Sequence, residues 1–232
     1  TSGFIGQPYD ISLDSNFLVS TLDNTYFAIR TLDLLMNDWG EYSTERSDLI
    51  NYINGLQATF TWEGVFGGFE NDEDQSFSSL RMFEPNIESC YYAIKSLEVF
   101  HMVDSIRIAD FYEYLDMLYD NETGIFNYAY YYNYNGELDL QATAFGLSLS
   151  KITDYPNISI DLGYKFIIDN RNSWGIWDQS SQNSFKELID TFQVVQGLQD
   201  AHLLKNLTQF DKVFLGYSMD YFKSYKGYSS SS

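Results

Sequence analysis

Ser89-Cys90-Tyr91-Tyr92-Ala93-Ile94-Lys95-Ser96-Leu97 repeats, at a distance of 65 residues, the pattern of Asn24-Thr25-Tyr26-Phe27-Ala28-Ile29-Arg30-Thr31-Leu32. Each run opens on small or polar residues, brings in two aromatics, and continues through Ala-Ile, a basic residue and a hydroxyl residue to Leu. Two looser copies follow, Ala142-Thr143-Ala144-Phe145-Gly146-Leu147-Ser148-Leu149 and Asp190-Thr191-Phe192-Gln193-Val194-Val195-Gln196-Gly197-Leu198. A glycine–aromatic element stands before each: Ser2-Gly3-Phe4, Gly67-Gly68-Phe69, Gly124-Ile125-Phe126 and Gly175-Ile176-Trp177. Phe4 precedes Thr25 by 21 residues and Phe69 precedes Cys90 by 21; the later intervals shrink to 17 and 14. Two elements recurring together in one order mark a repeat architecture.

Between each small-aromatic run and the next glycine lies a second amphipathic stretch. Leu49, Ile50, Ile53 and Leu56 mark the first; Phe111, Tyr114, Leu115 and Leu118 the second; Leu162, Phe166 and Ile167 the third; Phe210, Val213, Phe214 and Tyr217 the fourth. The spacing predicts helices over 16–37, 44–57, 86–102, 106–118, 137–152, 158–169, 185–204 and 206–223. Pro85-Asn86, Ser43-Thr44 and Tyr155-Pro156-Asn157 supply start and stop signals. The first helix of each pair carries small residues beside its aromatics, so neighbouring backbones can crowd together, as an inner layer requires. The second has a one-sided apolar stripe, as an outer layer requires. Phe69, Phe126 and Trp177 are then expected to pack as plugs between hairpins, and one hairpin cannot bury its face alone. Residues 1–228 read as a single repeat domain and 229–232 as a Ser-rich tail.

The pairing of Thr/Cys-Tyr-aromatic-Ala-Ile-x-x-Leu helices with Gly-Gly-Phe turns resembles the prenyltransferase and squalene-cyclase repeat family, most closely over Gly67–Leu97 and Trp174–Leu198. The resemblance implies an all-α, α/α-toroid fold of helical hairpins in an inner and an outer ring. It covers about residues 1–222. Four hairpins are counted here, fewer than the family's closed ring, so the chain is expected to be part of a larger polypeptide or an incomplete ring.

The family's chemistry transfers poorly. Prenyltransferase β subunits hold zinc through Asp-x-Cys and a His; Glu88-Ser89-Cys90 is the counterpart of the first, and no His stands near Asp190-Thr191. His101 and His202 each follow Cys90 and Thr191 by eleven residues, about 16 Å of helix axis. Helix-terminus histidines are the simpler expectation, and a small residue in a crowded helix is the simpler expectation for Cys90. The cyclase Asp-x-Asp-Asp string is approached only by Asp72-Glu73-Asp74-Gln75, which with Glu70 reads as a solvated loop or a loose Ca²⁺ site at Asp72 and Asp74. The Cys-Gly-Glu-Gln of thioester domains does not occur.

Two further constellations can carry binding. Tyr128, Tyr130, Tyr132 and Tyr134 alternate, so an extended segment presents them on one face, where rings bind sugars, cations or aromatic partners. The inner-helix starts offer Asp23, Glu88, Gln141 and Asp190 as polar or catalytic groups.

Composition narrows the partners. A formal charge of −20 repels phosphate backbones and anionic headgroups, which argues against nucleic acid and membrane surfaces and favours a protein or a small neutral ligand. No apolar run is long enough to span a bilayer, and the first residues lack the basic and apolar regions of a signal peptide, which is expected to be absent or already removed. Cys90 is the single cysteine, so no internal disulfide forms. Asn121-Glu122-Thr123, Asn157-Ile158-Ser159 and Asn206-Leu207-Thr208 are glycosylation sequons. An extracellular or surface location is expected, with a cytoplasmic one as the alternative. The leading functional expectation is a non-catalytic ligand- or protein-binding module. An isoprenoid-handling enzyme (prenyltransferase or terpene cyclase-like) is the first alternative, and a carbohydrate-active or carbohydrate-binding α/α barrel the second.

Overall fold

The computed structural model describes residues 3–6, 19–36, 38–61, 64–72, 84–131, 138–172, 175–177, 184–209, 211–213 and 215–216. Among the described residues seven α-helices carry the fold: α1 (Leu22–Leu35), α2 (Ser43–Gly55), α3 (Ile87–Val99), α4 (Ile108–Leu118), α5 (Asp139–Ile152), α6 (Ile160–Asp169) and α7 (Ser184–Asp200). Further helical residues follow at 209, 211–213 and 215–216, within the span expected for an eighth helix. Only isolated bridges, and no sheet, occur among the described residues. None of the described helices is long and apolar enough to cross a membrane. The expected start of the first helix at 16 is corrected to Leu22: Thr21 is extended and bridges Asp72, and Leu22 donates its N–H to the Asn71 carbonyl at 2.9 Å. That pairing holds the chain straight up to the helix.

The chain packs as two compact units, Thr1–Leu118 with Tyr128–Asn133 and Ile152–Tyr155, and Tyr119–Asn127 with Tyr134–Lys151 and Pro156–Ser232. In the first, α1 packs on α3 through Tyr26, whose ring lies 6.2 Å from Tyr91 and 5.3 Å from Tyr92. α3 is buried on nearly every side, and α4 buries one stripe, Phe111, Tyr114, Leu115 and Leu118. This is the contrast expected of inner and outer helices. In the second unit, eleven of the 14 residues of α5 are buried, and Leu140, Ala144, Leu147, Ile167, Trp177, Val194 and Leu198 form one core. Gly197 lets α7 approach the α5 backbone, since a Cβ there would lie 2.6 Å from the Ala144 carbonyl oxygen.

The glycine–aromatic elements are three versions of one turn. Gly67, Gly124 and Gly175 have φ of 84°, 80° and 76°, a left-handed conformation that costs other L-residues about 1–2 kcal/mol. The aromatic two places on then goes fully inside: Phe69, Phe126 and Trp177 are each 0% exposed. His101 and His202 are the left-handed residues that end α3 and α7, with φ of 55° and 60°. At each end two N–H groups turn back on the helix: His101 to Glu98 and Met102 to Leu97, then His202 to Gln199 and Leu203 to Leu198. Both histidines are exposed helix-terminus residues.

Candidate functional site

The plugs explain Cys90. The Phe69 N–H donates to Cys90 Sγ at 3.3 Å. The same bond runs from Phe4 N–H to Thr25 Oγ1 at 3.0 Å, from Phe126 to Thr143 Oγ1 at 3.1 Å, and from Trp177 to Thr191 Oγ1 at 3.3 Å. Every repeat therefore clasps its aromatic's backbone with a hydroxyl or thiol on the following inner helix. The four spacings counted in the sequence are the spans of these four clasps. Cys90 is fully buried, and burial pushes its thiol up to about 12, so it stays protonated at neutral pH. A protonated thiol is a weak metal ligand and nucleophile.

Cys90→Thr is expected to keep stability within about 1 kcal/mol, because the acceptor is retained. Cys90→Ala is expected to lose about 1–3 kcal/mol, because the Phe69 N–H is left buried and unmet. Urea denaturation midpoints of the two variants check this; equal losses would show that the sulfur's bond contributes nothing.

Glu88 faces elsewhere. It lines a cleft of about 240 Å³ with Asp23, Asn71, Glu84, Asn86, Ser89, Tyr92 and Tyr128, and Cys90 is not among the residues that line it. All belong to the first compact unit. The cleft forms at the N-terminal ends of α1 and α3. Asn86 caps α3 by accepting the Ser89 N–H at 2.8 Å, while the Asn86 N–H donates to Ser89 Oγ at 3.2 Å. The Ile87 N–H donates to the Tyr128 carbonyl at 2.9 Å, which ties the tyrosine-rich loop to the start of α3. Asp23 and Glu88 occupy the first turns, where the helix dipole favours a carboxylate. The Thr21 hydroxyl also donates to Asp23.

Two phenols hold Glu88: Tyr92 donates to Oε1 at 3.0 Å and Tyr128 to Oε2 at 2.8 Å. Burial, then the charges of Glu88 and Asp23, pushes the Tyr92 hydroxyl well above its usual range, so it remains a donor. Behind the cleft the rings continue. Phe27 lies 5.2 Å from Tyr26 and 5.8 Å from Tyr92, and is 52% exposed. Asp23, Phe27 and Leu34 fall on one face of α1, and Leu34 is 80% exposed. Beyond the cleft's Tyr92, exposed Phe27 and Leu34 stand seven residues apart on that face, about 10 Å, with Arg30 and Thr31 between them.

Among the sequence candidates, Asp23, Glu88 and Tyr128 meet here. Gln141 and Asp190 are buried in the second unit, on α5 and α7. Tyr130 covers Gly64 and stacks edge-on with Tyr131 at 4.9 Å, so Tyr128 and Tyr130 serve different partners. Tyr132, Tyr134, Glu73 and Asp74 lie outside the described residues. Asp72 bridges Thr21 through its backbone, and burial followed by the charge of Asp72 raises the Glu70 carboxyl. Glu88 lines the cleft, Cys90 Sγ is engaged by the Phe69 N–H outside that lining, and the histidines end α3 and α7 at their C-termini, so these residues do not fit the zinc site of the prenyltransferase pattern. Among the described residues no three His, Cys, Asp or Glu group as metal ligands. Sequence reasoning missed Tyr92, although its i+4 spacing from Glu88 places both on one helix face. It also missed Glu84 and Asn71, which come from loops with no periodic signal.

Comparison with known proteins places this architecture. No curated protein sequence matches. Among solved structures, Candida albicans protein geranylgeranyltransferase-I complexed with GGPP is similar, at 19% identity and a TM-score of 0.52. That likeness covers 78% of this chain and 52% of the other, so this chain spans about half its length, and it speaks for the fold alone. The model of the prenyltransferase alpha-alpha toroid domain matches residues 8–183, most of the chain. With its hairpins, glycine turns and plugged aromatics in place, the chain belongs to the prenyltransferase alpha-alpha toroid domain family.

Proposed function

We propose that the chain handles an isoprenoid-class ligand whose apolar tail lies along Phe27 and Leu34 and whose neutral or cationic head sits among Asp23, Glu84 and Glu88. The observation that carries this is the contact between Tyr92 of the carboxylate- and phenol-lined cleft and exposed Phe27, on the helix that supplies Asp23 to the cleft. Exposed Phe and Leu on one face gain from covering an apolar chain, about 25 cal/mol per Å² of surface removed from water. Three carboxylates at the mouth oppose a diphosphate and suit a hydroxyl or an ammonium, which the ring of Tyr92 also attracts. Family membership supports the isoprenoid class; the head-group preference rests on the cleft.

Titration of the protein's own fluorescence with geranylgeraniol and with geranylgeranyl diphosphate tests the proposal. Saturable quenching by the alcohol, and weaker or no response to the diphosphate, is expected. Phe27→Ala should weaken the alcohol about fivefold to tenfold, roughly 1–1.4 kcal/mol. Glu88→Gln, which keeps shape and removes charge, should narrow the gap between the two ligands. No saturable response to the alcohol, or tighter binding of the diphosphate to the unaltered chain, defeats the reading.

A further inference from the structure

Three Asn-x-Ser/Thr tripeptides, at Asn121, Asn157 and Asn206, take no part in the cleft, and all three belong to the second compact unit. Each Asn is exposed at a helix end. Asn121 begins the turn between α4 and Gly124, Asn157 lies just ahead of α6, and Asn206 closes the short turn Leu204–Asn206 after α7. The hydroxyl two places on has a structural task in every case. Thr123 Oγ1 donates to Asp120 Oδ2 at 2.7 Å. Ser159 Oγ accepts the Leu162 N–H at 3.4 Å and so caps α6. Thr208 Oγ1 donates to Asp211 Oδ2 at 2.7 Å and accepts the Asp211 N–H at 3.2 Å.

Those bonds account for the Ser and Thr residues and leave Asn121 and Asn206 unexplained. Among the described residues no side-chain hydrogen bond engages Asn121 or Asn206. An exposed amide with a hydroxyl residue at the second position and no intervening Pro meets the acceptor rule for N-linked sugar, which is bulky and must point to solvent. The surroundings agree. The lone Cys90 is fully buried and clasped, which protects it from pairing in an oxidising compartment. The unit that holds the cleft contains no acceptor.

We infer that Asn121, Asn157 and Asn206 carry N-linked glycans, added from a lipid-linked oligosaccharide in a secretory compartment. The Asn Nδ2 forms a bond to the sugar's anomeric carbon while the bond from that carbon to the polyisoprenyl diphosphate oxygen breaks. The diphosphate leaves with the electron pair and Nδ2 gives up one proton to base, so no oxidant or reductant is needed. Transfer occurs on the nascent chain, before the capping hydroxyls are engaged, and the folded positions leave each glycan in solvent.

The test uses protein from its native cells, treated with peptide N-glycosidase in heavy-oxygen water and mapped by mass spectrometry. Isotope-labelled Asp at 121, 157 and 206 is expected, together with one lost gel-mobility step for each of N121Q, N157Q and N206Q. Recovery of the three peptides as unlabelled Asn, before and after treatment, overturns the inference and leaves the cleft proposal untouched.

Discussion

Trp177→Ala is expected to destabilise the chain by about 3–5 kcal/mol, the range for emptying the site of a buried large aromatic. Trp177 is 0% exposed at the centre of the core made by Leu140, Leu147, Ile167, Val194 and Leu198. Its indole N–H also donates to the Ile167 carbonyl at 2.8 Å, and its backbone is clasped by Thr191. Alanine keeps the clasp but removes the ring and strands the carbonyl. Trp177→Phe should fall between, losing about 1–3 kcal/mol for the unmet carbonyl and the smaller ring. Equilibrium urea denaturation read by circular dichroism measures both. A loss under about 1 kcal/mol for alanine would mean that the three helices meet without the plug.

Gly67→Ala should be nearly as damaging, by a different route. At φ of 84° any side chain is strained, and a Cβ would stand 2.0 Å from the Asp110 carbonyl oxygen and 2.4 Å from its carbon. Both neighbours are backbone, so no rotamer change relieves the clash. The strain alone is about 1–2 kcal/mol and the forced displacement of α4 adds about 1–3 kcal/mol. Gly55 at the end of α2 is the control, because nothing lies within 4 Å of its Cβ position. Gly55→Ala should be neutral or slightly stabilising. Equal denaturation midpoints for the two variants would show that the turn at Gly67 can be rebuilt.

The fold was legible because the repeat carries two signals at once. Small residues flanking Tyr91, with Gly67 and Phe69 at a fixed distance before them, constrain both the helix and the corner that returns to it. Helix ends were less legible. The delayed start at Leu22 depends on a backbone bridge to Asp72, fifty residues away in sequence, which leaves no trace in periodicity. The site was half legible. Asp23 and Glu88 stand two residues before Thr25 and Cys90, so the repeat itself pairs them. Tyr128 was singled out for a different reason, as part of an alternating face, while its described contact is the carboxylate of Glu88. The motif comparison put Cys90 beside Glu88 as chemistry, whereas Cys90 clasps the Phe69 N–H and Glu88 lines the cleft.

The clasp between each aromatic's N–H and the hydroxyl or thiol downstream sets two fixed points and leaves the stretch between them free in length, 21 residues in two repeats and 17 and 14 in the others. Closing a span of 21 rather than 14 costs only about 0.4 kcal/mol of chain entropy. Insertions and deletions within these spans therefore leave the neighbouring helices where they are. Such chains can exchange one mouth-forming segment for another over generations while the scaffold beneath stays unchanged.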